Sequence, residues 1–199
     1  LLLIVAQTVG TLALLALLRA DNRPTVGQAI TVGAIGFLTS IAATIILYIG
    51  VGVIGGVLMG VAIASKITAL AVILGLLLFV AFIYLMVKFS LLAPVIAIDK
   101  VYNPLTALLR SWRLTKGNSV RLFFFYLLLF IALVVVSGVI GMIVMLVFGL
   151  MGEEVMLIGS GLINSAVNAV VIVLMLGVLA AVHRQLAGPS AESMGETFE

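Results

Sequence analysis

Charge is what this sequence has least of. Asp, Glu, Lys and Arg make up only 9% of its 199 residues, against 65% hydrophobic, and the mean hydropathy is +1.46. A soluble domain carries about a quarter charged residues, so the excess hydrocarbon here must face lipid. Cysteine is absent, which excludes disulfides, thiolate metal sites and a cysteine nucleophile and leaves the redox compartment unread. The single histidine, His183, has no companions for a metal or tetrapyrrole, and no cofactor is expected. No Asp or Glu interrupts an apolar run, which argues against a proton- or sodium-coupled carrier. Nor do polar and apolar residues alternate over about ten positions, as the strands of a membrane barrel would require.

What remains is long apolar runs separated by short polar turns. The expected fold is all-α, a single polytopic transmembrane helix bundle over residues 1–186 with a tail at 187–199. Five spans are readable, at about 1–18, 33–64, 67–87 extending to 98, 120–150 and 155–182, each near or above the ~20 residues that cross a bilayer. The 33–64 run exceeds that need, so it tilts, bends or begins as an interfacial helix. Pro94 should kink the third segment. The chain opens on Leu1-Leu-Leu-Ile-Val without Met, inside an apolar run. Residues are therefore expected to precede it, and a cleaved signal peptide is not, since no basic stretch leads the run.

One segment differs from all the others. Asn103 is a good N-cap, and Pro104 at the first helical position loses an amide with no partner in any case. Leu105, Leu108, Leu109 and Trp112 then recur on one helical face, with Arg110 and Arg113 on the other and Lys116-Gly117 as the stop. The spacing predicts an amphipathic helix over 104–116 lying in the membrane interface, its leucines and tryptophan toward hydrocarbon and its guanidinium groups toward lipid phosphates.

The basic residues orient the whole. Arg19, Arg23, Lys88, Lys100, Arg110, Arg113, Lys116, Arg121 and Arg184 fall on one side of the five-span layout, and Lys66, with Glu153 and Glu154, on the other. That asymmetry places the Arg-rich side and the C-terminus in the cytoplasm. It also accounts for the net charge of +3 without nucleic acid. A repeat runs beneath it. Pro24, Pro104 and Pro189 stand 80 and 85 residues apart, each opening an elbow after an inward-running span. Either the hairpins are duplicated, or any helix re-entering at an interface favours proline at its start.

Three constellations are candidates for function. Gly52, Gly56 and Gly60, at four-residue spacing, fit a helix–helix seam better than a glycine-lined conduit. Ser160, Asn164 and Asn168 form the most polar stripe of any span. Interhelical hydrogen bonds explain it most simply, and a polar site for a headgroup or solute is the alternative. Lys100, Arg110, Trp112, Arg113, Lys116 and Arg121 gather where the elbow meets the leaflet, either as a plain anchor or as a lipid-headgroup or partner-docking site. Glu153 and Glu154 have no nucleophile, base or metal partner nearby and read as a solvated turn.

The run Ala93–Gly117, with its proline, its acidic residue and its Arg-Ser-Trp-Arg-Leu-Thr-Lys-Gly ending, resembles the bacterial membrane family known as the glycerophosphoryl diester phosphodiesterase membrane domain and its YciC-like relatives. The resemblance implies a six-helix module of the bacterial inner membrane. It does not carry over the catalytic activity, whose His, Glu and metal ligands belong to a fused domain. The expected function is therefore non-enzymatic: a packing, scaffold or accessory subunit that organises lipid at the cytoplasmic leaflet. Its expected partners are anionic lipids and other membrane subunits or further copies of itself. The alternative is a transport or lipid-handling carrier using the polar stripe of the fifth span.

Overall fold

The computed structural model describes residues 2–19 and 24–188. Leu1, Arg23, the third proline elbow at Pro189 and the tail beyond it lie outside the described residues. Among those described, the chain is all-helical: α1 (Leu2–Leu17), α2 (Val26–Ala64), α3 (Thr68–Phe89), α4 (Leu92–Ala97), α5 (Pro104–Thr115), α6 (Ser119–Phe148) and α7 (Glu153–Ala187). Four segments are long and apolar enough to cross a membrane, namely α2, α3 continued by α4, α6 and α7. The first expected span is the 16-residue α1, short of the ~20 residues a span needs. By its contacts the chain divides into two compact units, Leu1–Ser119 with Leu179–Glu199, and Val120–Val178.

The first unit is built on α1 packed against α2. An added Cβ at Gly33 would come within 2.5 Å of the Val9 carbonyl oxygen, and one at Gly36 within 2.9 Å of Ile96 and 3.1 Å of Leu12. Ala13, Ala16 and Ala29 close the seam, with Leu17 and Val32 beside them. Small residues let backbones approach where lipid removes the hydrophobic drive between helices. Gly52, Gly56 and Gly60 take no part in this seam: an added Cβ there meets nothing within 4 Å among the described residues, and past Ala43 the only buried position of α2 is Ala62.

Helix α2 begins at Val26, seven residues ahead of the expected start, because Thr25 and Gln28 form a reciprocal capping box. It ends at a turn in which Lys66 takes φ 57°. The break around Pro94 falls four residues earlier, after Phe89, where α3 stops. Proline lacks the amide that would bond the Ser90 carbonyl, so the helix parts there and restarts as α4. Leu91, Leu92, Val95, Ile96 and Ala97 are all buried and form the centre of this unit. The Thr39 hydroxyl donates to the Tyr102 carbonyl at 2.7 Å, pinning the following loop to α2.

The second unit is the hairpin of α6 and α7. Its turn runs through Gly152 at φ 99°, and the Phe148 ring lies over Gly159, close enough to clash with any Cβ there. Of α6 only Leu122 and Val144 are buried, leaving a long apolar surface for lipid.

Candidate functional site

The site grows from the elbow α5. Asn103 caps it, its side-chain oxygen accepting from the amides of Leu105 at 3.0 Å and Thr106 at 3.2 Å. Gly117 at φ 86° follows the C-cap Lys116 and ends it. Only part of the stripe expected to face hydrocarbon stays on the surface. Ala107, Leu108, Ser111 and Thr115 are buried, Trp112 is half-buried, and Leu105 and Leu109 are each 58% exposed. Ala107, Ser111 and Thr115 let α5 sit close against the end of α3, with Leu108 buried beside them.

That contact is polar. The Ser111 hydroxyl donates to the Lys88 carbonyl oxygen at 2.9 Å; the Thr115 hydroxyl lies 3.3 Å from the same oxygen and nearer to the Ser111 (3.0 Å) and Trp112 (3.1 Å) carbonyls of its own helix. A helix leaves its last carbonyls without intrahelical partners, and here Ser111 of another helix supplies one. The Lys88 side chain is itself buried, its ammonium 5.3 Å from the Tyr84 ring centroid and 5.0 Å from that of Trp112. The Trp112 ring is wedged between Tyr84 and Phe89, at centroid distances of 6.0 and 5.7 Å. A desolvated cation–π contact is worth up to ~2 kcal/mol, so Trp112 holds Lys88 as well as filling space.

A second polar knot closes the other side. Asp99, just past α4, accepts from Arg110 Nε at 2.5 Å and lies 3.1 Å from His183 Nε2. Burial pushes the Asp99 pKa up. The hydrogen bond and charge of His183, and after them those of Arg110, outweigh that and hold it below the ordinary carboxylate value. An ionised carboxylate only accepts, so His183 Nε2 carries the proton of this contact. The knot joins the α4–α5 loop, α5 and the last turns of α7.

Between α5 and the end of α7 lies an open groove of about 630 Å³, lined by Thr106, Leu109, Arg110, Arg113, Leu114, Lys116, Asn118, Gln185, Leu186 and Ala187. Among the described residues no acidic side chain lines it. Arg113 and Lys116 are exposed and make no ion pair with a described residue.

The structure thus brings Arg110, Arg113 and Lys116 together at one concavity and places Trp112 on its far side, toward α3. Lys100 is exposed in the loop before α5, at φ 55°, outside the lining. Arg121 is exposed on α6 in the second unit. Asn164 and Asn168 are exposed on α7 without a hydrogen bond to another described residue, and the Ser160 hydroxyl turns back to the Leu157 carbonyl at 3.4 Å. The sequence analysis gives Asp99 no role and counts Lys88 only among the basic residues of one side. One signal is present: Asp99 is the single acid between Asp21 and Glu153, in a stretch that holds Lys100, Arg110, Arg113, Lys116 and Arg121, and an acid so surrounded invites a partner.

No curated protein and no solved structure matches the chain. A family model does, over residues 1–186, and the chain belongs to that family, the domain of unknown function DUF7847.

Proposed function

We propose that this is a non-enzymatic integral membrane protein that gathers anionic lipid at one leaflet and holds it beside its spans, as a scaffold or accessory subunit. The observation that carries the reading is the two-sidedness of α5. Its inner face is fastened to the end of α3 through Ser111 and Thr115, and its outer face presents Arg110, Arg113, Lys116 and the exposed Leu105 and Leu109. A helix fixed in this way offers cations at headgroup depth and leucines to the acyl boundary without having to fold on contact. The excess of basic residues on that side supports a cytoplasmic orientation with the C-terminus inside. The resemblance of Ala93–Gly117 to the glycerophosphodiesterase membrane domain supports a bacterial inner membrane.

A carrier using Ser160, Asn164 and Asn168 is the second reading. It draws support from the two asparagine amides, which an apolar helix cannot leave unsatisfied in hydrocarbon. The lipid reading is preferred because its cations already converge on a cavity. Extraction of the protein with its surrounding membrane in polymer discs tests it. Phosphatidylglycerol and cardiolipin should be enriched over the bulk membrane, and a disc composition equal to bulk would refute the reading.

A further inference from the structure

We infer that the groove between α5 and the end of α7 is a specific site for the headgroup of an anionic glycerophospholipid, an inference that rests on the lipid-gathering reading and narrows it to named residues. Three features converge. The first is charge: Asp99 pairs with Arg110, so Arg113 and Lys116 supply two positive charges that no described acidic residue pairs with. A phosphodiester bound there would meet a guanidinium that can grip two of its oxygens and an ammonium acting as a point charge. The second is hydrogen-bonding capacity: Thr106 and Asn118 on one side and Gln185 on the other line the groove and offer donors and acceptors to the glycerol hydroxyls of such a headgroup. The third is the remainder of the lining. Leu109, Leu114, Leu186 and Ala187 are of no use to a free phosphate, whereas the glycerol backbone and first methylenes of a lipid need an apolar rim. At about 630 Å³ the groove falls in the ~300–1,000 Å³ range of small-molecule sites, roomier than a single phosphate requires.

Asp99 lies outside the lining and fixes the Arg110 guanidinium at one end of the groove, which leaves Arg113 and Lys116 to meet the ligand. Arg184, one residue from Gln185, is exposed but does not line the groove, which makes it the internal comparison.

The test is native mass spectrometry of the full chain, released from micelles doped with phosphatidylglycerol or phosphatidylcholine, with inorganic phosphate as competitor. The unmodified chain should retain phosphatidylglycerol in preference to phosphatidylcholine. Arg113→Gln with Lys116→Gln should weaken that retention roughly 25-fold, about five-fold for each cation removed from an anionic surface. The exchange Arg113→Lys with Lys116→Arg should restore most of it, which separates loss of charge from misfolding. Arg184→Gln should stay within about two-fold of the unmodified chain, and Leu186→Gln should weaken lipid retention. If Arg184→Gln costs as much as a groove cation, the attraction is diffuse and the site is refuted while the lipid-gathering reading stands. If inorganic phosphate displaces the lipid at comparable concentration, the ligand is free phosphate and the lipid assignment is wrong. If phosphatidylglycerol is not preferred at all, both readings fail together.

Discussion

His183 Nε2 lies 3.1 Å from Asp99 Oδ2 across 84 residues of chain, with side chains only 3% and 14% exposed. The contact ties the last turns of α7 to the loop that launches α5. Because Arg110 shares the same oxygen, the register of α5 and the end of α7 are fixed by one carboxylate.

The pH dependence of stability follows from that carboxylate. Its native pKa is lowered, so its contribution is complete above the unfolded-state value and is lost as pH falls through the native one. The melting temperature of the purified chain should therefore hold through mildly acidic solution and fall only below the ordinary carboxylate range. Asp99→Asn should lower the plateau and flatten the acid limb. An acid limb of equal depth in both proteins would show that the knot contributes nothing.

Ser111→Ala and Thr115→Val each remove one of two hydroxyls on the same carbonyl oxygen. A hydrogen bond contributes about 1 kcal/mol net, and stranding a buried acceptor costs about 1–3 kcal/mol. Thr115→Val should be mild, since its hydroxyl has nearer acceptors in its own helix; after Ser111→Ala that hydroxyl can turn to Lys88, so the pair should cost more than the two together. Denaturant titration in micelles measures the excess. Simple additivity would mean that water or lipid takes over.

Two glycine substitutions should behave in opposite ways. Gly33→Ala sets a methyl against the Val9 backbone and should loosen α1 from α2, costing about 1–3 kcal/mol, as overpacking does. Gly56→Ala enters open space and should be neutral, or stabilising by up to ~1 kcal/mol through helix propensity. Equal melting temperatures for the two would contradict the position of the seam.

Truncating the two sides of α5 separates packing from surface. Trp112→Ala removes the ring between Tyr84 and Phe89 and uncovers Lys88, and should cost ~3 kcal/mol or more. Leu109→Ala, on the exposed side, should change micelle stability by less than ~0.5 kcal/mol. It should instead lower the amount of lipid that the purified protein retains, measured by mass spectrometry of its extract.

Much of this architecture could be read from residue order alone. Apolar run length placed the helices, and Asn103, Pro104 and Gly117 placed α5 almost to the residue, because caps and breakers act within a turn. Facing was harder. Period 3.6 shows that Leu105, Leu108, Leu109 and Trp112 share a side, but not that the neighbouring Ala107, Ser111 and Thr115 would be chosen for burial. In lipid the large residues are free to point outward and close approach is made by the small ones. Likewise the spacing at Gly52, Gly56 and Gly60 is as good a seam as Gly33 and Gly36 locally, and only the placement of α1 beside Gly33 and Gly36 tells them apart. The Asp99–His183 contact left no local trace at all, since nothing within a few turns of either residue specifies the other.

The 39 residues of α2 make a rod about 58 Å long at ~1.5 Å per residue, nearly twice the ~30 Å of hydrocarbon in a bilayer. Even leaning at ~40°, near the limit for spanning helices, it would rise about 45 Å. One end must then stand clear of the oily layer, and the sheltered end is the one sheathed by α1 and α4, around Ala29 to Ala43. The bare half, from about residue 44 onward, is left as the true crossing. On this account α1 is a splint on a protruding mast, and shortening α1 should tip the mast before it disturbs the crossing.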